Sequence, residues 1–173
     1  MKVFIFVLFF CYSSLLVCQI TEGIDFTKYP AKQIALNKKA AIQWVSNPYK
    51  NRVKEIKDGY QKGTISFGGS YITVLWLCGN DCAQGVLIDS RTGRIYKMPI
   101  NSTNTSNQCQ DREDIFDRYL FFPYSKLVAT STCKTQKEAL GVKVHQDFFF
   151  YLWNEPRKTF SLLKKVKKER SDK

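Results

Sequence analysis

The segment LWLCGNDCAQGVLIDSRTGRIY, Leu75 to Tyr96, places two cysteines between two strand-like runs. The first run, Tyr71–Cys78, is apolar on both faces, and the second run, Gln84–Asp89, leads into a turn at Asp89, Thr92 and Gly93. Short apolar runs bounded by turn residues are typical of β-strands. Gly and Asn between the cysteines tolerate the left-handed backbone that a short loop needs. The segment therefore predicts an antiparallel hairpin.

The position of the cysteines fixes the register of this hairpin. If Cys78 faces Cys82, the two Cα atoms lie about 4.5 to 5.5 Å apart, which is within the range of a disulfide. One face of the hairpin then carries an apolar stripe beneath the cysteines. The predicted cross-strand pairs are Trp76 with Gln84, Val74 with Val86 and Ile72 with Ile88.

Redox and metal functions explain the two cysteines less well than a disulfide does. A thiol-exchange centre usually has two intervening residues at the start of a helix, whereas this pair has three in a predicted hairpin. Zinc needs four ligands, and His145 is the only histidine in the chain. Cys109 and Cys133 would form a second disulfide, although cysteine counts alone allow three connectivities. We therefore expect two disulfides, no metal and no cofactor.

Residues 1–18 have the pattern of a secretory signal peptide, with one lysine ahead of an almost unbroken apolar run. The run is short for a membrane span, so we expect cleavage and no stable span in the mature protein. A membrane anchor and a lipoprotein attached through Cys18 are the alternatives. The predicted location is periplasmic or secreted.

A helix is predicted over the segment that precedes the hairpin. Asn47 is a suitable N-cap, Pro48 a suitable first residue, and Gly63 a suitable stop. Apolar side chains recur at offsets of four, three and four residues, which places them on one helical face. This predicted face consists of Tyr49, Val53, Ile56 and Tyr60.

The whole pattern predicts an α+β fold: an antiparallel meander of about seven strands, one N-terminal amphipathic helix and two disulfides. Residues 19–40 are expected to form a loosely held lead-in, residues 41–166 a single domain, and residues 167–173 a frayed basic tail. Residues 101–110 read as an exposed polar loop. The aromatic run from Phe148 to Trp153 alternates and is expected to lie in the core.

The segment from Ser66 to Pro99 resembles a family of small, largely uncharacterised exported bacterial proteins with the pattern N-F-A-G-x-Y, W-G-C-G-x-x-C, D-x-x-T-G-x-V-Y. A preceding basic helix and the later FFPYSKLVAT strand also fit the family. Leu77 replaces the first Gly of the G-C-G triplet, and Ser70 stands where a His is expected. The resemblance implies export and an α+β fold, and it implies no reaction. The matching residues are Phe67, Gly69, Tyr71, Trp76, Cys78, Gly79, Cys82, Asp89, Thr92, Gly93 and Tyr96.

A net charge of +12 points to anionic partners. The candidates are an acidic protein or an anionic envelope component such as a glycolipid; nucleic acid is disfavoured because no recognisable binding module accompanies the charge. Basic side chains cluster in the predicted helix and near the C-terminus. The candidate anion-binding residues are Lys50, Arg52, Lys54, Lys57, Lys164, Lys165, Lys167, Lys168 and Arg170.

Two functions from different classes fit this sequence. The favoured one is a non-enzymatic binding or interaction protein of the bacterial envelope, with no catalytic residues. The rival is a small periplasmic enzyme that uses scattered polar residues. The residues proposed for that rival are Asp89, Tyr71, Gln84 and His145.

Overall fold

A computed structural model describes residues 24–36, 38–79, 82–106, 108–109, 118–138 and 141–172. The predicted signal peptide, including Cys18, lies outside the described residues. Among the helices that the structure describes, none has the length and apolarity needed to cross a membrane.

The predicted hairpin forms two of the three strands of an antiparallel sheet. Its strands are β1 (Tyr71–Leu77), β2 (Ala83–Asp89) and β3 (Ile95–Lys97), in the order β1-β2-β3. The register of β1 and β2 is the predicted one, with Trp76 opposite Gln84. Beyond the last strand pair, a disulfide joins Cys78 to Cys82, whose Cα atoms are 5.3 Å apart.

A second, four-stranded antiparallel sheet contains the longest strands. Its members are β4 (Tyr119–Phe121), β5 (Leu127–Glu138), β6 (Gly141–Asn154) and β7 (Thr159–Asp172), in the order β4-β5-β6-β7. A strand of 14 residues is about 45 Å long. Because β4 pairs only with the first part of β5, the other three strands extend well beyond it. We call β5, β6 and β7 the arm.

The seven strands therefore form two sheets, and the prediction of one continuous meander is wrong. The reason lies in β2, of which six of the seven residues are buried. A strand buried on both faces needs a cover on each side. The helix covers one face of β2 and the second sheet covers the other. One continuous sheet with a single helix would leave one face of β2 uncovered.

Three apolar clusters follow from this layering. The first joins the helix to one face of the three-stranded sheet, around Ile56 and Ile72. The second lies between the two sheets and includes Leu87, Val128 and Trp153. The third covers the outer face of the second sheet, where Phe26 packs with the predicted core residues Phe148 and Phe150. Leu127 and Ala129 complete the third cluster.

The single α-helix among the described residues, α1, spans Val53–Lys62 and begins later than predicted. The side chain of Asn47 accepts a hydrogen bond from the backbone nitrogen of Tyr49 at 2.8 Å, so it closes a local turn instead of capping α1. Val53 is 44% exposed, and the buried residues of α1 are Ile56 and Tyr60. The helix is thus neither an N-terminal element nor amphipathic over the predicted four-residue face.

The segment before α1 is docked against both sheets, whereas residues 19–40 were predicted to be loosely held. The backbone nitrogen of Ala31 donates a hydrogen bond to the carbonyl oxygen of Tyr124, in the loop between β4 and β5. The backbone nitrogen of Ala40 donates to the carbonyl oxygen of Ser90, in the turn after β2. The Nζ atom of Lys39 donates to the carbonyl oxygens of Tyr60, Gln61 and Gly63 at 2.5 to 2.8 Å. These bonds satisfy carbonyl groups that the end of α1 leaves free.

The C-terminal residues also differ from the prediction. Residues 167–172 continue β7 and pair with residues 142–147 of β6 instead of fraying as a basic tail. The lysine-rich composition concealed a strand because it lacks the alternation of apolar residues that predicts one.

Candidate anion-binding groove

One face of the arm forms the floor of a concave site of about 590 Å³. The strand register places Lys134 of β5 opposite His145 of β6, which in turn faces Glu169 of β7. The next pairs along this face join Asp147 to Lys167 and Phe149 to Lys165. Because alternate residues of a strand share a face, the sequence brings these side chains together. We call this concavity the basic groove.

The loop that follows β3 forms the wall of the basic groove through Ser102, Thr103, Ser106 and Gln108. The backbone nitrogen of Cys133 donates to the carbonyl oxygen of Ser106 at 2.9 Å, and that of Gln108 donates to the carbonyl oxygen of Cys133 at 2.8 Å. A second disulfide joins Cys109 to Cys133. The wall is therefore fixed to β5 covalently as well as by hydrogen bonds.

Two buried polar residues hold the same loop against both sheets. The Nδ2 atom of Asn104 donates to the carbonyl oxygen of Pro99 at 2.6 Å and to the hydroxyl of Tyr151 at 2.9 Å. The hydroxyl of Thr105 accepts a hydrogen bond from the backbone nitrogen of Ala83 at 3.0 Å. Asn104 and Thr105 are 3% and 0% exposed, so the predicted exposed loop is buried at these two positions, whereas Ser102, Thr103 and Gln108 are exposed.

Lysine is the predominant charged residue of the basic groove. Its lining includes Lys134, Lys165, Lys167 and Lys168, with Asp147 and Glu169 as the acidic members. Because the lysines outnumber the acids, the groove is positively charged and suited to an anion.

The acids leave part of that positive charge uncompensated. Lys165 pairs with Asp147 at 2.8 Å, and its Nζ atom lies 4.7 Å from the centre of the Phe149 ring. Among the residues that the structure describes, Lys134 and Lys167 have no ion-pair partner. Both are therefore available to an external anion.

His145 lies at the floor of the basic groove and is partly exposed. Its Nδ1 atom is 3.2 Å from Glu169, which also pairs with Lys143 at 2.8 Å. The hydrogen bond and the charge of Lys143 lower the pKa of the Glu169 carboxyl. The Nε2 atom of His145 is buried and has no hydrogen-bond partner within the described part of the chain.

The other predicted basic residues lie outside the basic groove. The basic residues of the predicted helix lie in or just before α1, which packs on the three-stranded sheet. Lys164 lies opposite Phe150, whose side chain points to the opposite face of the arm. The residues that the groove does not contain are Lys50, Arg52, Lys54, Lys57 and Lys164. The side chain of Arg170 lies outside the described part of the structure.

A second polar site, which we call the ionic cluster, lies at the turn between β6 and β7. The Oε2 atom of Glu155 accepts hydrogen bonds from the Tyr71 hydroxyl and the Trp153 Nε1 atom, both at 2.6 Å. Its Oε1 atom contacts Lys158 and lies 3.2 Å from Arg91. The cluster thus joins β1 of one sheet to the last turn of the other. Its members are Tyr71, Asp89, Arg91, Trp153, Glu155 and Lys158.

The groups of the ionic cluster satisfy one another. Arg91 makes two hydrogen bonds to the buried carboxylate of Asp89, at 2.7 and 2.9 Å. Burial raises the pKa of the Tyr71 hydroxyl, and its hydrogen bond to Glu155 raises it further. Burial alone would raise the pKa of Glu155, but hydrogen bonds from Lys158, Tyr71 and Trp153 lower it to about 2. Each of these polar side chains thus has its hydrogen-bond partners within the cluster.

The four residues proposed for an enzyme are not gathered into one site. Tyr71 and Asp89 belong to the ionic cluster, and Gln84 accepts a long hydrogen bond from Trp76 Nε1 at 3.4 Å. His145 lies in the basic groove. No group of three or more potential metal-binding side chains occurs within the described residues.

Several residues of these sites were not predicted from the sequence. Lys134, Glu155 and Lys158 were missed because no motif marks them. The alternation of β5 offered one signal, since Thr132 and Lys134 share a face with the paired lysines of β7. That signal depends on the strand register, which the sequence does not state.

Comparisons of this chain with family models, curated protein sequences and solved structures find no match. The resemblance to exported bacterial proteins therefore stays a prediction.

Proposed function

We propose that this chain is a non-enzymatic binding protein of the bacterial envelope, and that it holds an anionic partner in the basic groove. The observation that carries this proposal is the pair of uncompensated lysines, Lys134 and Lys167, in a concavity of about 590 Å³ with a covalently fixed wall. A rigid site loses less conformational entropy when it binds than a flexible one.

The composition of the groove favours a partner that carries several anionic groups. The lysines of the floor can pair with phosphate, sulfate or carboxylate groups. The hydroxyl groups of Ser102 and Thr103 in the wall can donate hydrogen bonds to the same oxygens. Two disulfides are consistent with an oxidising compartment outside the cytoplasm.

An enzymatic function has less support because the most perturbed groups are bound to one another. Tyr71 is 0% exposed, and its hydroxyl is already bonded to Glu155 and Lys158. A catalytic group must reach a substrate atom directly or through one water molecule. The arrangement is better suited to holding the two sheets together than to proton transfer.

The test compares two double variants with the same change of charge. Lys134→Glu with Lys167→Glu reverses the two uncompensated charges of the groove, whereas Lys54→Glu with Lys57→Glu reverses two exposed charges of α1. A sulfated polysaccharide is the probe, and isothermal titration calorimetry at several salt concentrations gives its affinity. We expect the groove variant to bind at least about tenfold more weakly and with a reduced salt dependence. The α1 variant should lose less than about threefold.

Equal losses in the two double variants would show that net charge, not the groove, attracts the anion. Salt-independent binding, or no binding by the unmodified protein, would overturn the proposed function.

A further inference from the structure

The strand β7 forms one edge of the four-stranded sheet over its whole length of 14 residues. One side of its backbone pairs with β6, and within the described residues no strand pairs with the other side. Every second residue of an edge strand directs its N–H and C=O groups outward. The strand β7 therefore offers a long series of unpaired backbone groups.

An exposed apolar pair lies at one end of this edge. Leu162 and Leu163 are 55% and 43% exposed, at the point where the pairing with β6 shifts register between Phe150 and Tyr151. Lysines are a common means of protecting an edge from other strands, but exposed leucines have the opposite effect. The exposed leucines therefore favour docking of another strand on this edge, which the lysines alone would not.

The next part of the edge is strongly basic. Four lysines fall between residues 164 and 168 of β7, and three of them, Lys165, Lys167 and Lys168, line the basic groove. A second copy of β7 paired with this edge would place lysines close to lysines, which is unfavourable. An acidic strand would place carboxylates there instead. The charge pattern therefore disfavours self-association and favours an acidic partner.

We propose that β7 pairs with an extended acidic segment of a partner polypeptide, which adds a fifth strand to the sheet. This inference rests on the proposed function and names its partner class. Strands in a sheet lie about 4.8 Å apart, so alternate carboxylates of the added strand come close to Lys165 and Lys167. Apolar residues at one end of the segment cover Leu162 and Leu163. Backbone bonds supply affinity in this mode of recognition, and side chains supply specificity.

A capped peptide of alternating glutamate and threonine with two terminal valines tests the pairing. In an extended strand all glutamates direct their backbone N–H groups to one edge and all threonines to the other. Three N-methyl groups are placed on the glutamates in one derivative and on the threonines in another. We expect one derivative to bind at least about tenfold more weakly and the other to bind within about threefold of the parent peptide. Hydrogen exchange of the outward amides of β7 should slow when the parent peptide binds.

A pair of protein variants tests the apolar end. Leu162→Ser should weaken binding of the parent peptide about fivefold, because burial of the leucine is lost. Val45→Ser, at a side chain that is 90% exposed and lies before α1, should leave the affinity unchanged.

The outcomes distinguish the two proposals. If both N-methylated derivatives bind equally, or if the exchange of β7 amides is unchanged, the added strand is excluded while groove binding stands. If the sulfated polysaccharide binds and the parent peptide does not, the partner class is wrong and the groove function stands. If neither probe binds, both proposals fail.

Discussion

Glu155 connects the two sheets from the turn between β6 and β7. Its carboxylate receives hydrogen bonds from Tyr71 of β1 and from Trp153 of β6, and it also contacts Lys158 and Arg91. A carboxylate with four partners is a charged acceptor that a neutral side chain cannot replace in full. Glu155 should therefore contribute to the stability of the fold.

Glu155→Gln should lower the free energy of unfolding by about 1 to 2 kcal/mol. The substitution keeps the shape but removes the charge, and the partial exposure of Glu155 limits the effect through solvent screening. Urea denaturation followed by tryptophan fluorescence measures the change. Asp58→Asn, at an exposed position of α1, is the control and should change the stability by less than about 0.5 kcal/mol. Equal midpoints for the Glu155 variant and the unmodified protein would contradict the assigned role.

The same residue predicts a pH dependence with a definite sign. The pKa of Glu155 is about 2 in the folded protein, against an ordinary value of 4.5. Because the folded pKa is depressed, its contribution is fully present above pH 4.5 and is lost as the pH falls toward 2. The stability difference between the unmodified protein and Glu155→Gln should thus narrow between pH 5.5 and pH 3. A constant difference over that range would contradict the ionic interpretation.

Gly93 shows how far a single residue can be predicted. The turn chemistry of the sequence predicts a positive φ at Gly93, and the structure has φ +74°. A second requirement was invisible in the sequence: a Cβ atom at this position would lie 1.8 Å from the carbonyl oxygen of Ala41. The first reason depends on neighbouring residues, whereas the second depends on a segment that reaches Gly93 only in the folded chain.

At the scale of elements, local constraints decided which predictions were correct. The β1–β2 hairpin could be predicted in register because two nearby cysteines had to meet. The start of α1 could not, because Asn47 uses its side chain in a turn that competes with a helix cap. The length of β7 was missed because its stability comes from pairing with β6, which a lysine-rich sequence does not reveal.

The two disulfides should differ in their effect on stability and on binding. Cys109 and Cys133 are separated by 24 residues and Cys78 and Cys82 by 4, so the chain-entropy model gives about 3.5 and 2 kcal/mol respectively. Replacing Cys109 and Cys133 by serine should also weaken binding of the sulfated polysaccharide, because the groove wall is released. Replacing Cys78 and Cys82 should leave that affinity unchanged.

Denaturation and calorimetry of the two double-serine variants measure these effects. Unchanged polysaccharide affinity in the Cys109 and Cys133 variant would show that the wall does not contribute to the groove.

At the scale of the whole molecule, strand alternation predicted burial but not the number of sheets. The apolar character of both faces of β1 indicated an internal layer, and β1 does lie between α1 and the second sheet. Which strands provide the second cover depends on contacts between residues far apart in sequence, such as Leu87 with the cluster around Val128. The basic groove was only partly predictable, because it also depends on contacts between residues far apart in sequence. Lys165 and Lys167 were identified from the sequence, whereas Lys134 was not because it belongs to another strand.

The shared cluster predicts that the two sheets unfold together. Val128→Ala removes buried atoms between the sheets and should cost about 2 kcal/mol. Native-state hydrogen exchange should show the same loss of protection in β2 and in β5. Val144→Ala, in the separate cluster with Cys109 and Cys133, is the control and should affect β6 without β2. A loss confined to β5 after Val128→Ala would show that the sheets open independently.

The burial of Asn104 also determines which expression hosts are suitable. Asn104-Thr105-Ser106 matches the acceptor pattern for N-linked glycosylation, and the nitrogen that would carry the sugar is the one bonded to Pro99 and Tyr151. A glycan attached there before folding would prevent the loop from docking. Protein for crystallisation should therefore come from a bacterial host. Protein from a eukaryotic host is also suitable if it retains Thr105 and Ser106 and if mass spectrometry shows that Asn104 carries no glycan.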